Sequence, residues 1–221
     1  FGKDPILRRR DLNIVPVVRK IDGRLCTQLD ILAGVFTATD GVWTVPVRVD
    51  HCGNYLMEPP LRASTFKQGM NHYACPSLGI YLEKTDEMYT ILFGGISYGY
   101  FEDGHFLTSN FFPFINQVTA IKLDKDNLYT QYLLNSTYPT ILSQQSNAGN
   151  PLLFGASAQL IPANSKDQQA NGTICFLDEK SKKSHLIGYI VGGIASTLPN
   201  TSAASDSFAS PYIFEVRVKK Q

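Results

Sequence analysis

Residues 89–97 read YTILFGGIS and residues 188–196 read GYIVGGIAS, in each case a short apolar run, two glycines, and a restart on isoleucine. The apolar run has the character of a buried strand, because Ile, Leu, Val, Tyr and Phe suit a pleated surface covered on both faces. Paired glycines weaken a strand. They persist where the backbone bulges or where another segment passes too close for a Cβ. The repetition therefore predicts one unusual backbone geometry used twice.

Each string is followed by an alternating strand that ends in charge, QVTAIKLD at 117–124 and YIFEVRVK at 212–219. A degenerate third copy lies upstream, where DILAGVFT at 30–37 keeps only Gly34 and is followed by VWTVPVRVD at 42–50. Each glycine strand is also preceded by a strand candidate: NIVPVVRKI at 13–21, HYACPSLGIYL at 72–82 and LFGASAQLI at 153–161. NYLM at 54–57 and LYTQYLL at 128–134 follow as outer strands. The unit is then four strands. No stretch sustains a 3.6-residue apolar period with helix caps, so the fold class is all-β. Self-similarity of this size with four strands per unit is the signature of propeller blades, here about three, at 7–71, 72–150 and 151–221. A closed propeller typically takes 4–8 blades. The expectation is a portion of a larger propeller, its remaining blades supplied by upstream sequence or another chain.

The strings LRRRDLNIVP, MNHYACPSLGIYL, MYTILFGGIS, PFINQVTAIKLD and LIGYIVGGIAST resemble kelch repeats, whose motif is an apolar strand ending in a glycine pair. They resemble more closely a set of uncharacterised bacterial proteins that look secreted and carry kelch-like propellers, often ahead of a type IX sorting segment. The resemblance runs from about Leu7 to Val218. It implies a kelch-like β-propeller that is secreted or held at the cell surface. Two departures stand out: Gly34 is single, and Trp43 is the only tryptophan.

Composition narrows the function. The 221 residues are 43% apolar and 11% aromatic, enough for a large core. A formal net charge of +1 supplies no basic field for nucleic acid. No apolar run approaches the roughly 20 residues of a membrane-spanning helix. Cys26, Cys52, Cys75 and Cys175 lack CxxC spacing, which argues against a zinc or thioredoxin-type site and favours buried thiols, with one disulfide left open. The sequons at Asn135, Asn171 and Asn200 matter only in a eukaryotic secretory route. There is no GxSxG elbow, HExxH helix, P-loop or GxGxxG after a strand. His51, His72, His105 and His185 show no helical ligand spacing, and no metal or cofactor is expected. TATDGVW at 37–43 is explained by a tight Asp-Gly turn.

Two constellations remain. The first comprises positions feeding the innermost strand of each blade: Arg9, Arg10 and Asp11 with Asn13, Asn71, His72, Tyr73 and Ser77, and Ser157 with Gln159. Clustered arginines with a tyrosine and a histidine suit a carboxylate or phosphate; alternatively, Arg9, Arg10 and Asp11 pair among themselves and stitch blades together. The second is the long loop Tyr98–Asn116. Its Tyr98, Tyr100, Phe101, His105 and Phe106 have the character of a sugar- or protein-contacting surface, and Glu102 and Asp103 add an acidic turn. Its aromatics can equally pack down onto the fold. The matching loop at 195–211 reads as small, polar and mobile. The expected function is a non-catalytic binding module for a protein or glycan. The alternative is a carbohydrate-active propeller enzyme of the oxidase, sialidase or epimerase type, since fold alone does not decide activity.

Overall fold

The computed structural model describes residues 3–39, 41–163, 168–176, 184–201 and 203–219. The chain is all-β. The first sheet holds β1 (Asn13–Ile21), β2 (Arg24–Leu32), β3 (Val47–Val49) and β4 (Tyr55–Met57) in sequential antiparallel order. The second contains β5 (Ser77–Leu82) and β6 (Glu87–Ile96). A hairpin of β7 (Gly99–Glu102) and β8 (His105–Thr108) separates these from β9 (Phe114–Leu123) and β10 (Tyr129–Thr137). The third contains β11 (Gln159–Pro162), β13 (Ser184–Val191) and β16 (Ile213–Lys219), with β14 (Ile194–Ser196) and β15 (Ser207–Ala209) as the corresponding hairpin. One strand crosses between units: β12 (Ile174–Phe176), from the third, pairs in parallel with the free edge of β5.

The repeat read from the glycine strings is visible in the backbone. The positions Ala33-Gly34, Gly94-Gly95 and Gly192-Gly193 all have positive φ, from 54° to 96°. Directly after each pair the chain bonds back to the segment entering the unit: Val35 N–H to Arg10 O at 2.9 Å, Ile96 N–H to Tyr73 O at 3.4 Å, and Ile194 N–H to Ala156 O at 2.8 Å. The second glycine lies against that segment. A Cβ on Gly95 would come 2.7 Å from Cys75 Cβ, and one on Gly193 would come 2.5 Å from Ala156 O. The first place is roomy in the first and third units, where it holds Ala33 and Gly192, but not in the second, where a Cβ on Gly94 would come 2.6 Å from Phe154 O. The lone Gly34 keeps the second glycine, whose Cβ would come 3.2 Å from Arg10 O.

The residues that follow Arg10, Tyr73 and Ala156 (Asp11, Ala74 and Ser157) also share positive φ, 57°, 53° and 57°. They link the units through the main chain, Ala74 N–H to Asp11 O at 3.0 Å and Ser157 N–H to Ala74 O at 2.6 Å. Asp11 N–H and Ser157 O have no backbone partner among the described residues, so the ladder is open at both ends.

Packing follows strand alternation. Val15, Val17 and Leu32 of the first sheet meet Tyr81, Met88, Leu92, Ile121 and Leu123 of the second. The opposite face of the second sheet, with Leu78, Ile80, Ile91 and Phe93, packs on Phe154, Ile187, Ile190 and Val216. Only the middle sheet is covered on both faces. Ile14 (58% exposed) on the first sheet and Ile213 (69%) on the third mark faces without an apolar neighbour.

The third unit differs from the expected four strands, having three in its sheet among the described residues. The predicted loop at 98–116 is largely a hairpin. Asp103 and Gly104 have φ of 50° and 78°, a type I′ turn, and Glu102 pairs with His105 across it. The four cysteines form no disulfide with one another, and Cys75 is buried with its thiol pushed up to about 12 by desolvation. Among the described residues no helix is long and apolar enough to cross a membrane.

Candidate functional site

The main-chain ladder presents Arg10, Asp11 and Ser157 to solvent, while Tyr73 is buried beside them. Arg10 Nε donates to Asp11 Oδ2 at 3.0 Å, and its guanidinium lies 4.7 Å from the Phe36 ring centre. Burial is the main cause that pushes the Tyr73 phenol up; the Asp11 charge adds to it and Arg10 opposes it. Tyr73 also meets Phe112 edge-on at 6.2 Å, and Phe112 lies 6.3 Å from Tyr98. A chain of ring contacts thus runs beneath the ladder's charged end, from Tyr73 through Phe112 to Tyr98 at the start of the β7–β8 hairpin.

Other members of the first constellation point into the fold. The Arg9 guanidinium donates to Ile6 O, Ala33 O and Val45 O at 2.9–3.0 Å and stacks 4.5 Å over Trp43. Desolvation lowers it to about 10. It is held within its own unit by carbonyls, whereas the pairing alternative expected it to pair with Arg10 and Asp11 and to join blades. His72 occupies the corresponding place in the second unit and bonds Gly94 O through Nδ1 at 2.8 Å. Asn71 accepts from Tyr98 N–H at 2.7 Å. Both are wholly buried, so neither faces a channel. Asn13 is also buried and donates to His72 O, linking the first two units. Ser77 opens β5 and is half-buried, and Gln159 is exposed at the start of β11.

The structure reveals an obstruction that strand patterning did not predict. β12 covers the β5 edge from Ile80 to Leu82, with Asn171 reaching Thr27 of the first sheet at 2.9 Å. An insertion from the third unit thereby covers the edge of the second sheet and reaches the first.

The hairpin constellation is half surface and half packing. Phe101 and Phe106 meet edge-on at 5.4 Å, and Gln117 clamps the Phe101 backbone by bonding both its N–H and its carbonyl. Phe106 remains 46% exposed, and Phe111, just beyond the hairpin, 83%. Glu102, Asp103 and His105 are exposed at the tip, whereas Tyr98 and Tyr100 are half-buried. Beneath the hairpin lies a cavity of about 480 Å³ lined by Phe66, Met70, Phe101, Phe106, Tyr129 and Leu133 among others. Gln131 forms part of its wall, holding Met70 N–H and O at 3.1 and 2.7 Å. Phe106 and Phe111 are exposed, while Phe101 is committed to packing.

A buried polar cluster between the first and second sheets escaped sequence reading. Tyr129 donates to Asp30 Oδ2 at 2.6 Å and accepts from Arg48 Nη2 at 2.8 Å, and its ring stacks on Phe66 at 5.2 Å. Alternation placed Asp30 at the head of a strand, but nothing local indicated that its carboxylate would be buried against a tyrosine 99 positions away. Desolvation raises Asp30 to about 6, opposed by the Tyr129 bond and by the Arg48 and Arg19 charges. Burial lowers His72 to about 4, opposed by the Gly94 bond.

These two groups give opposite pH dependences. Asp30 stabilises the fold fully below about 3.8 and loses that contribution as pH rises through about 6. His72 contributes fully above about 6.5 and loses its contribution as pH falls through about 4. At 1.36 kcal/mol per pKa unit each is worth about 3 kcal/mol, so they offset within the shared window. We expect Asp30→Asn to show a denaturation midpoint that falls on acidification from pH 6.5 to 4.5, and His72→Gln one that rises. Urea titrations across that range check both; profiles parallel to the unaltered chain would refute the assignment.

Among the described residues no group of three or more His, Cys, Asp or Glu side chains is placed to hold a metal. Compared with protein-family models, curated proteins and solved structures, the chain matches none.

Proposed function

We propose that this chain is an interaction module built as three blades of a kelch-like β-propeller, exported from the cell, that holds a protein or glycan partner without catalysis. The carrying observation is the combination of exposed Arg10, Asp11 and Ser157 with exposed Phe106 and Phe111, joined beneath the surface by the Tyr73–Phe112–Tyr98 ring contacts. It combines a charged rim with accessible aromatic faces, the composition that recognises sugars and protein surfaces. The blade reading is supported by the repeated positive-φ pair and by the ladder that passes through Asp11, Ala74 and Ser157. Further units of the same kind would continue that ladder at its two open ends and cover Ile14 and Ile213. Export rests on the sequence resemblance alone.

The test is a glycan array followed by binding curves for any hit, using Arg10→Ala and Phe106→Ala. Each substitution should weaken binding roughly tenfold or more, the range of an interface hot spot. Thermal midpoints should shift by no more than a few degrees. Undiminished binding in both variants would overturn this surface as the site, and a large loss of stability in Phe106→Ala would assign that ring to the core.

A further inference from the structure

A second cleft lies away from the ladder and the hairpin, where the first sheet meets the β5–β6 and β9–β10 turns. It encloses about 300 Å³ and is lined by four cationic side chains, Arg19, Lys20, Arg48 and Lys125, against one carboxylate, Asp86. The Gln28 and Asn127 amides complete a polar wall. In a chain whose formal net charge is +1, this concentration is local rather than a property of the whole surface.

The cations differ in what they have left to offer. Arg19 is buried and committed: it donates to Asp124 O and Lys125 O and lies 3.9 Å from Asp86, so it supplies charge but few free donors. Asp86 is itself occupied, accepting from Tyr81 OH at 2.9 Å and Lys20 N–H at 3.2 Å. Arg48 donates one Nη to Tyr129 OH and the other to Asn127 Oδ1 at 3.4 Å. Its Nε is buried with no hydrogen-bond partner, and the nearest carboxylate oxygen, Asp30 Oδ1, stands 3.9 Å away. Lys20 and Lys125 are exposed and make no ion pair among the described residues.

We propose that this cleft binds a tetrahedral oxyanion, the phosphate or sulfate group of a small ligand. Two exposed ammonium groups lie with the Arg19 and Arg48 charges on the wall of a cavity large enough for such a group, and charge-assisted bonds from Lys20 and Lys125 engage its phosphate or sulfate oxygens. The site joins elements of two units, so its occupancy also ties the first sheet to the second.

The experiment titrates inorganic phosphate and, separately, sodium sulfate into the full chain. Thermal unfolding and calorimetry are the readouts, with sodium chloride at matched ionic strength as the reference. The expected result is saturable stabilisation by one or both oxyanions beyond that in chloride. Phosphate alone would identify a phosphate site, and equal responses a site for either ester. Lys20→Ser/Lys125→Ser should unfold in chloride at the temperature of the unaltered chain and bind the oxyanion about tenfold or more weakly. Equal stabilisation by chloride, or a double variant with undiminished affinity, would overturn the proposal.

Discussion

Gly193→Ala should abolish the fold or cost at least about 3–5 kcal/mol, whereas Gly192→Ala, one residue earlier, should cost only about 1–2 kcal/mol. Both residues have positive φ, 76° and 68°, so both substitutions meet the same backbone penalty. They differ in what surrounds the added methyl. At Gly192 nothing lies within 4 Å of the new Cβ. At Gly193 it would sit 2.5 Å from Ala156 O, 2.6 Å from Ala158 N and 2.8 Å from Ala158 Cα, all backbone atoms of the segment entering the third unit. Backbone cannot rotate away as a side-chain tip can, so the bridge between Ile194 and Ala156 would have to open. Against a total stability of about 5–15 kcal/mol, that loss is close to unfolding. Chemical denaturation midpoints of the two variants measure the contrast. Equal losses would mean that φ alone explains the glycine pair.

Phe154→Ala should destabilise the chain by about 3–5 kcal/mol, the range for emptying a buried aromatic site. Phe154 is 1% exposed and its ring centre lies 4.9 Å from Phe214, 5.6 Å from Tyr138 and 5.6 Å from Tyr212. Those rings come from two separated parts of the chain, Tyr138 and the Tyr212–Phe214 segment, so the cavity cannot close by a local shift. The Phe154 backbone also bonds Gly95 N–H at 2.9 Å and the Asn116 side chain at 2.8 Å, pinning the third unit to the second. The loss should therefore be uneven. Hydrogen exchange should rise first in β13 and β16, with β1, β2 and β5 protected until global unfolding. A uniform rise would mean that the three sheets unfold as one unit.

Much of the fold was legible because strand periodicity and the glycine strings are local signals. The five strands that begin at Asn13, Glu87, Phe114, Tyr129 and Ile213 lie close to where alternation placed them, whereas the strand read at 30–37 is instead β2, Arg24–Leu32, because the chain turns at Ala33-Gly34. β12 was not legible: it is three residues long and pairs in parallel with a strand far away in sequence, so no hairpin turn or alternation announces it. The hairpin within 98–116 was readable in principle from the Asp103-Gly104 turn flanked by aromatics.

The candidate site divides along the same line. Residue types alone identified an arginine-rich entry segment and an aromatic insertion, and both contribute to the surface described above. Chemical type cannot say which way a side chain faces. Arg9 and Arg10 are neighbours with the same chemistry, yet one is bonded to three carbonyls inside the fold and the other is exposed on a phenylalanine ring. His72 looked available and is buried and neutral, while Arg19, Arg48, Asp86 and Lys125 looked unrelated and line one inter-sheet cleft. The sequence by itself determined the all-β class and the repeated backbone geometry, since these depend on the φ preferences and alternation of near neighbours. Only the tertiary structure decided which charges are buried, paired or left facing a cavity, because burial and Coulomb energy depend on atoms that lie tens of residues apart.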